Sequence, residues 1–474
     1  MKKINVDICV IGGGAGGLSV AAGAVQMGAT VALIEKGLMG GDCLNYGCVP
    51  SKALLSAGKA AHAVTANEEL GVHAKLENVN FARANQHVHD VIAGIAPHDS
   101  QERFEGLGVQ VFRDFGKFTS ATEVQAGDTS ISAKKFVVAT GSSPFVPPIP
   151  GLDTVPYLTN ENVFELKEAP KHLIIIGGGP IGCELAQAHA RLGSKVTVLE
   201  MANIMAKDDQ ELVNVVRGAL TREGINLLEK AKVTQIAKHE DGVSVSYELD
   251  GQTLSVEGST LLMAVGRKAN LDGLDLEKAG IDYTRAGITV DARLRSTNKR
   301  VFAIGDVAGG FQFTHIAGYH AGIIIRNILF KLPAKVDYKA VPWVTYTEPE
   351  MANVGMNEDM AKANGLDYQV LKFDYAEMDR ARSEGITEGM IKVIVGKKGL
   401  ILGCGIAGKG AGELLLPWSL AIQNKMKIGA IAGLIAPYPT MSEISKRVAG
   451  TYYTKSLFSE RTKKVVRFLM KLPF

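Results

Sequence analysis

Two stretches of the chain carry the same alternation of apolar, glycine-rich and helical positions. Residues 6–11 form a short apolar run interrupted only by Asp7. Gly12-Gly13-Gly14-Ala15-Gly16-Gly17 follows, then a helical pattern to Met27, a stop at Gly28, and a second apolar run over 30–34 that ends in Glu35. Residues 173–176 start the sequence again: an apolar run, Gly177-Gly178-Gly179-Pro180-Ile181-Gly182, a helix from about Pro180, and a strand over 195–199 closing at Glu200. Continuous apolar runs of this length, bounded by glycine, predict strands buried on both faces, as in a parallel sheet flanked by helices. The pattern predicts an α/β chain with an internal repeat of one strand–loop–helix–strand unit.

The rest of the pattern sets the outline. Residues 53 to about 100 predict helix and hold His62, His73, His87 and His89, read as surface or packing histidines; His87 and His89, two apart, do not share a helix face. Short strands lead to Phe136-Val137-Val138-Ala139-Thr140-Gly141-Ser142, and Pro144, Pro147, Pro148 and Pro150 mark a domain boundary. From about 271 the chain returns to short strands and turns, with Ala303-Ile304-Gly305-Asp306 placing an acid after a strand and a helix expected from about Thr314. Residues 341–450 read as a further α+β unit in which Cys404 is structural, and 451–474 as a basic tail able to form a short amphipathic helix. The domain boundaries expected are therefore 1–147, 148–270, a return to the first unit over 271–340, 341–450, and 451–474.

Composition narrows the classes. At 474 residues the chain exceeds one ordinary core, and 46% hydrophobic with 21% charged residues suits a soluble globular protein. A net charge of +3 with no basic reading motif excludes nucleic acid as a partner. Met1-Lys2-Lys3 before an apolar run imitates a secretory signal, but Asn5 and Asp7 interrupt the run and it passes straight into glycines. A cytoplasmic location is expected. For the tail, a solvated or dimer-packing role is expected ahead of contact with a membrane surface.

The chemistry centres on Gly40-Gly41-Asp42-Cys43-Leu44-Asn45-Tyr46-Gly47-Cys48-Val49-Pro50-Ser51-Lys52. Pro50 suits an early helical position, so Cys48 lies at or near a helix N-terminus, where unpaired N–H groups and the dipole favour a thiolate. Lys52, four residues on, shares its face and adds a cation. The pair reads as redox-active. A zinc site would need two more Cys or His ligands at short spacing, and a structural disulfide suits a small secreted chain rather than this long one with five cysteines. Gly12, Gly14 and Gly17 fit the GxGxxG spacing in its strand–turn–helix context, and Glu35 is placed to accept from a ribose hydroxyl. Gly177, Gly179, Gly182 and Glu200 repeat the set. An acid at Glu200 favours NAD over NADP, whose extra phosphate it would repel. Glu184, early in the second glycine helix, is accounted for by dipole compensation alone, and Cys183 by packing.

These motifs, with Ala139-Thr140-Gly141-Ser142, Gly266-Arg267-Lys268-Ala269-Asn270 and Ala303-Ile304-Gly305-Asp306, resemble the class I pyridine nucleotide–disulfide oxidoreductases over nearly the whole length. That group includes dihydrolipoamide dehydrogenase, glutathione reductase and mercuric reductase. The resemblance implies two Rossmann-like domains, for FAD and NAD(P), and a C-terminal α+β dimerisation domain over 341–450 that builds a homodimer. It implies FAD held through Glu35 and Asp306, cofactor contacts at Thr140, Gly141, Gly266 and Arg267, and Lys52 paired with Glu184 beside the flavin. Cys48 would face the flavin as the charge-transfer thiolate, and Cys43 would exchange with substrate. No resident metal is expected.

One position departs from the better-known members. Where dihydrolipoamide dehydrogenase and glutathione reductase place an acid–base histidine, this chain has Tyr438, in Pro437-Tyr438-Pro439-Thr440-Met441-Ser442-Glu443, with Glu443 retained. A histidine is mostly neutral at pH 7 and can take a thiol proton, whereas a tyrosine near pKa ~10 is ionised in roughly one molecule per thousand. Mercuric reductase has a similar tyrosine. That family's N-terminal metal-binding domain and C-terminal vicinal cysteines are not matched here, so mercury itself is not the expected substrate. The leading expectation is an NADH-dependent flavoprotein reductase of the mercuric-reductase-like branch acting on a small-molecule metal ion, quinone or disulfide acceptor. The alternatives are a dihydrolipoamide dehydrogenase acting on the dithiol with NAD, and a non-catalytic redox-sensing flavoprotein.

Overall fold

The computed structural model describes residues 2–65, 68–240 and 242–473. The chain divides into two compact units. One takes the residues up to Ala61, Glu77–Met201 and Leu228–Asp337; the other takes His62–Leu76, Ala202–Leu227 and the chain from Tyr338 onward.

The first unit is built on a sheet whose strands run Gln110–Phe112, Val31–Ile34, Lys2–Ile11, Thr129–Val138, Glu123–Ala126 and Gly116–Ser120 in spatial order. The long strand Thr129–Val138 forks the sheet. Its first half pairs antiparallel with Glu123–Ala126, while Phe136, Val137 and Val138 pair parallel with Val301, Phe302 and Ala303. In the parallel part the strand ends are level: Ile11 lies beside both Ile34 and Val138, and Val138 beside Ala303. Register alone therefore collects Gly12, Glu35, Ala139 and Ile304 at one carboxyl edge, the place where open α/β sheets bind ligands. Both faces of the sheet are covered, as its unbroken apolar runs require. The helices Ala15–Gln26 and Thr314–Ile328 contribute Leu18, Val20, Ile323 and Ile324 to one core, and Phe118, Phe136 and Ile288 fill the other.

A second parallel set repeats the arrangement. Lys195–Glu200 lies beside His172–Ile176, which lies beside Thr260–Met263, with Ile176 level with Leu199 and Met263. An antiparallel sheet of Lys232–His239, Gly242–Leu249 and Gln252–Gly258 accompanies it.

The second unit holds an antiparallel sheet of Pro342–Thr345, Glu350–Gly355, Ile401–Gly408, Met390–Gly396 and Tyr368–Asp374. Its core closes around Trp418, fully buried, whose indole N–H donates to Ser445 Oγ at 3.0 Å from the helix Glu443–Leu457. Cys404 is buried in the strand Ile401–Gly408, and burial pushes its thiol well above the ordinary range. The helix Gln210–Arg222 belongs here because Leu212 packs over Gly405, where an added Cβ would come within 2.4 Å of Leu212 Cδ1.

Two local expectations need correction. The first strand begins at Lys2 rather than residue 6, because Lys2–Val6 pair with Thr129–Ala133 and so continue the ladder past Asp7. The helix expected over 53–100 is interrupted: Cys48–Thr65 ends it, residues 66 and 67 lie outside the described residues, and 72–80 are irregular up to the helix Phe81–Ile95. Gly71 adopts φ +80, and Asn80 caps the new helix by accepting from Arg83 N at 3.0 Å, two start-and-stop signals within one polar stretch.

Candidate active site

The glycine loops meet their purpose through space rather than flexibility. A Cβ on Gly12 would lie 2.3 Å from Ala139 O and one on Gly17 1.9 Å from Gly12 O; Gly177 and Gly182 repeat these clashes at 2.3 Å with Ala264 O and 2.0 Å with Gly177 O. The middle glycines differ. At Gly179 a Cβ would meet nothing within 4 Å, and at Gly14 nothing nearer than 3.7 Å. The outer glycines thus let the loop pack on its own sheet, and the middle one keeps the approach to the helix N-terminus clear. No side chain caps Ala15–Gln26 or Pro180–Arg191, so their first N–H groups face that approach. The acids are set identically: Gly13 N donates to Glu35 Oε2 and Gly178 N to Glu200 Oε2, both at 2.6 Å. Two such cradles fit the two dinucleotides that the resemblance implies.

The cysteine loop is pressed onto the first cradle. Gly40 N donates to Gly13 O at 2.9 Å, and a Cβ on Gly41, at φ +63, would come within 2.7 Å of Gly14 Cα. The short helix Gly41–Asn45 carries Cys43, and Cys48 opens the helix Cys48–Thr65. Both cysteines are free thiols with the sulfurs in hydrogen-bond contact. Cys43 donates to Cys48, Thr314 Oγ1 lies 3.4 Å from Cys48 Sγ, and Lys52 adds its charge. Together these hold the exposed Cys48 thiol down to about 6 against the opposing effect of partial burial. Donating to that thiolate, with burial and the nearby Asp42 carboxylate, pushes the Cys43 thiol far up. The reduced pair therefore keeps one proton, on Cys43.

Lys52 Nζ sits 2.8 Å from Glu184 Oε2, a carboxylate buried on the helix Pro180–Arg191. Removing the lysine would take a counter-charge from a buried carboxylate and is expected to destabilise the fold around it.

A second network holds the cysteine loop and involves residues that the motif reading passed over. Asp42 Oδ1 accepts from Asn160 Nδ2 at 3.1 Å and pairs with Arg267 Nη2 at 3.0 Å. Arg267 also donates to Ser142 Oγ at 2.7 Å and Ser142 O at 2.8 Å, and Ser142 Oγ donates in turn to Asp306 Oδ2 at 2.5 Å. Burial pushes the Asp306 carboxyl above its usual range. Arg267, expected as a cofactor contact, also bridges Ser142 and the cysteine loop, and the same network reaches Asp306. Thr140 and Gly141 lie alongside: Thr140 Oγ1 donates to Asn270 O at 2.8 Å, and Gly141 O accepts from Asn270 N at 3.0 Å. Gly266, at φ +129, faces open space, with nothing within 4 Å of an added Cβ.

Tyr438 and Glu443 belong to the other unit. Tyr438 is two-thirds exposed, and its hydroxyl donates to Asp379 Oδ2 at 3.0 Å. That hydrogen bond pushes the phenol's pKa above its ordinary value. Glu443 begins the helix Glu443–Leu457 and lies 3.7 Å from Arg447 Nη2.

The asymmetry of the cysteines is directly measurable. In the reduced protein, alkylation of Cys48 by iodoacetamide is expected to rise with pH through a midpoint of about 6, since only the thiolate reacts. Thr314→Val removes a hydrogen bond to the thiolate and shifts the midpoint upward. A native midpoint near the ordinary thiol value of about 8.5 would remove the asymmetry.

Against known proteins, residues 6–321 match the family described as pyridine nucleotide-disulphide oxidoreductase and residues 341–449 its dimerisation domain. The mercuric reductase of Bacillus cereus is 35% identical over 451 residues, covering 94% of this chain and 72% of that protein. The dihydrolipoyl dehydrogenase of Geobacillus stearothermophilus is 35% identical over 454 residues, covering 94% and 96% respectively. Among solved structures, the Cu(II) complex of the HOCl-induced flavoprotein disulfide reductase RclA from Escherichia coli matches with a TM-score of 0.84 at 30% identity, over 94% of this chain and 99% of that one.

Proposed function

The chain belongs to the pyridine nucleotide-disulphide oxidoreductases, and from that premise we propose that its Cys43/Cys48 pair takes electrons from NADH and delivers them to a thiophilic metal ion. The coarser statement needs no proposal: it is a flavoprotein disulfide oxidoreductase that uses FAD and NAD(P)H and carries a homodimerisation domain.

In the proposed scheme the bound flavin supplies two-electron transfer between the nicotinamide and the disulfide. Gly12, Gly14, Gly17, Glu35 and Asp306 would hold FAD, with Thr140 and Gly141 alongside. Gly177, Gly179, Gly182, Glu200 and Gly266 would hold the nicotinamide nucleotide. The Glu200 carboxylate favours NADH, because a ribose phosphate brought to it would meet a like charge. Lys52, fixed by Glu184, stabilises the Cys48 thiolate. Opening the disulfide with two electrons and one proton leaves Cys43 as a thiol and Cys48 as a thiolate.

The observation that carries the metal reading is the hydrogen bond from Tyr438 to Asp379. In this scheme Tyr438 and Glu443 of one protomer serve the cysteines of the other. A disulfide acceptor needs a proton delivered to its leaving thiolate, and a dithiol donor needs one removed. A phenol pinned to a carboxylate does neither readily near neutral pH. Two Cu(II) ions, by contrast, take two electrons from the pair, reform the disulfide and release only the Cys43 proton, which water accepts. The names of two relatives point the same way, one a mercuric reductase and one a reductase solved as its Cu(II) complex.

The test compares acceptors without oxygen present. NADH oxidation by the purified holoenzyme is expected to run at least about tenfold faster with Cu(II) or Hg(II) than NAD⁺ reduction runs with dihydrolipoamide. Fast turnover of dihydrolipoamide, with NADH oxidation at background when metal is added, would transfer the chain to the dihydrolipoyl dehydrogenase branch.

A further inference from the structure

The segment following the matched dimerisation domain carries the least explained surface of the chain. The helix Glu460–Leu469 buries none of its residues, whereas the preceding helix Glu443–Leu457 buries Ile444, Ser445, Val448 and Ala449. Its charged and apolar residues largely segregate. Glu460, Lys463, Lys464 and Arg467 follow the i, i+3, i+4, i+7 spacing of one helix face, and Val465, Phe468 and Leu469 lie on the other side, with Val466 at its margin and Arg461 of the first turn entering that side four residues before Val465. The apolar face is open: Val465 is 51% exposed, Phe468 63% and Leu469 54%. Phe458 and Met470, just outside the helix, are exposed as well.

We propose that this helix lies in the surface of an anionic lipid bilayer and tethers the enzyme there. Charge argues for the partner. Lys455, Arg461, Lys463, Lys464, Arg467 and Lys471 stand against the single acid Glu460 in this segment, while the whole chain carries only +3, so the remainder is net negative. The positive charge is gathered around one apolar stripe. A nucleic acid would satisfy the cations and leave Phe468 and Leu469 in water. A second copy of the helix would cover the stripe but bring two sets of cations together, and the matched dimerisation domain ends at residue 449, ahead of this segment. An anionic bilayer answers both needs: headgroups meet the cations and the acyl boundary takes the apolar face. Among the described residues no helix is long and apolar enough to cross a membrane, so the contact is interfacial.

The experiment is flotation of the full-length holoenzyme with vesicles of phosphatidylglycerol and phosphatidylcholine, beside vesicles of phosphatidylcholine alone. The native protein is expected to float with the anionic vesicles at least tenfold more than with the neutral ones, and to be released as salt rises. Phe468→Asp/Leu469→Asp is expected to lose that binding by at least tenfold while keeping its bound flavin, NADH oxidation and dimeric mass. Lys463→Glu/Lys464→Glu, which leaves the apolar face intact, provides a second reading with the same expected loss. Absence of native binding to anionic vesicles, or undiminished binding by both variants, overturns the proposal. Conversion of Phe468→Asp/Leu469→Asp to a monomer overturns it too, by assigning the face to a second copy.

Discussion

Cys43→Ser is expected to lower metal-dependent turnover by at least about three orders of magnitude, the scale on which removal of a reacting nucleophile is felt, while NADH still bleaches the flavin at the native rate. The two halves of the reaction rest on different residues. The nucleotide cradles are built from glycines packed on their own sheets and from Glu35 and Glu200 bonded to loop N–H groups. Serine retains a hydroxyl that can donate to Cys48, so the Thr314 contact and the Lys52–Glu184 pair continue to favour the Cys48 thiolate. What serine lacks is the second sulfur. Without it no disulfide can reform, and the thiol pair that would pass two electrons to the two Cu(II) ions is gone. Steady-state NADH oxidation with Cu(II), run beside single-turnover bleaching, separates the halves. Native turnover in Cys43→Ser would remove the dithiol from the mechanism; failure of bleaching would show that the loop, and not only its chemistry, had been damaged.

Short-range constraints made much of this site legible in the sequence. The outer glycines of each loop must lack a Cβ because a carbonyl occupies its place, so GxGxxG between a strand and a helix has a steric cause that spacing can reveal. Cys48 at a helix start follows from Pro50 in the same way. Glu184 shows the limit. Read alone, it is an acid in the first turns of a helix; its partner Lys52 lies 132 residues away and is brought to it only by the fold. The Asp42 network is hidden for the same reason, with Asn160 and Arg267 arriving from separate elements, as Thr314 does at Cys48. Ser142 and Asp42 both lie inside quoted motifs, but nothing local distinguishes a serine that relays between Arg267 and Asp306 from one that ends a strand. The interrupted helix before Phe81 erred oppositely: alanine-rich polar sequence satisfied a helical pattern that Gly71 and the Asn80 cap break.

Tyr438→His should raise the rate of dihydrolipoamide oxidation with NAD⁺ by about two orders of magnitude, the lower range of what a positioned acid–base group contributes. In the native protein the hydroxyl is the donor in its bond to Asp379, and that bond opposes its ionisation, so even less of it than of a free tyrosine is in the phenolate form that could take a proton. An imidazole at the same position meets Asp379 differently. One ring N–H donates to the carboxylate, which stabilises the charged ring, and the other nitrogen is left to accept a proton from a thiol. Activity should then rise with pH as the imidazolium is lost, from a midpoint above the ordinary ~6.5 because the carboxylate favours the charged form. Metal reduction, which needs no proton delivered by this group, should change by less than about threefold in Tyr438→His and in Tyr438→Phe. Tyr438→Phe also tests whether the phenol does anything beyond filling the position. If the native protein already oxidises dihydrolipoamide quickly and histidine adds nothing, proton transfer runs through another group, such as Glu443, and the chemical reason for preferring a metal acceptor disappears.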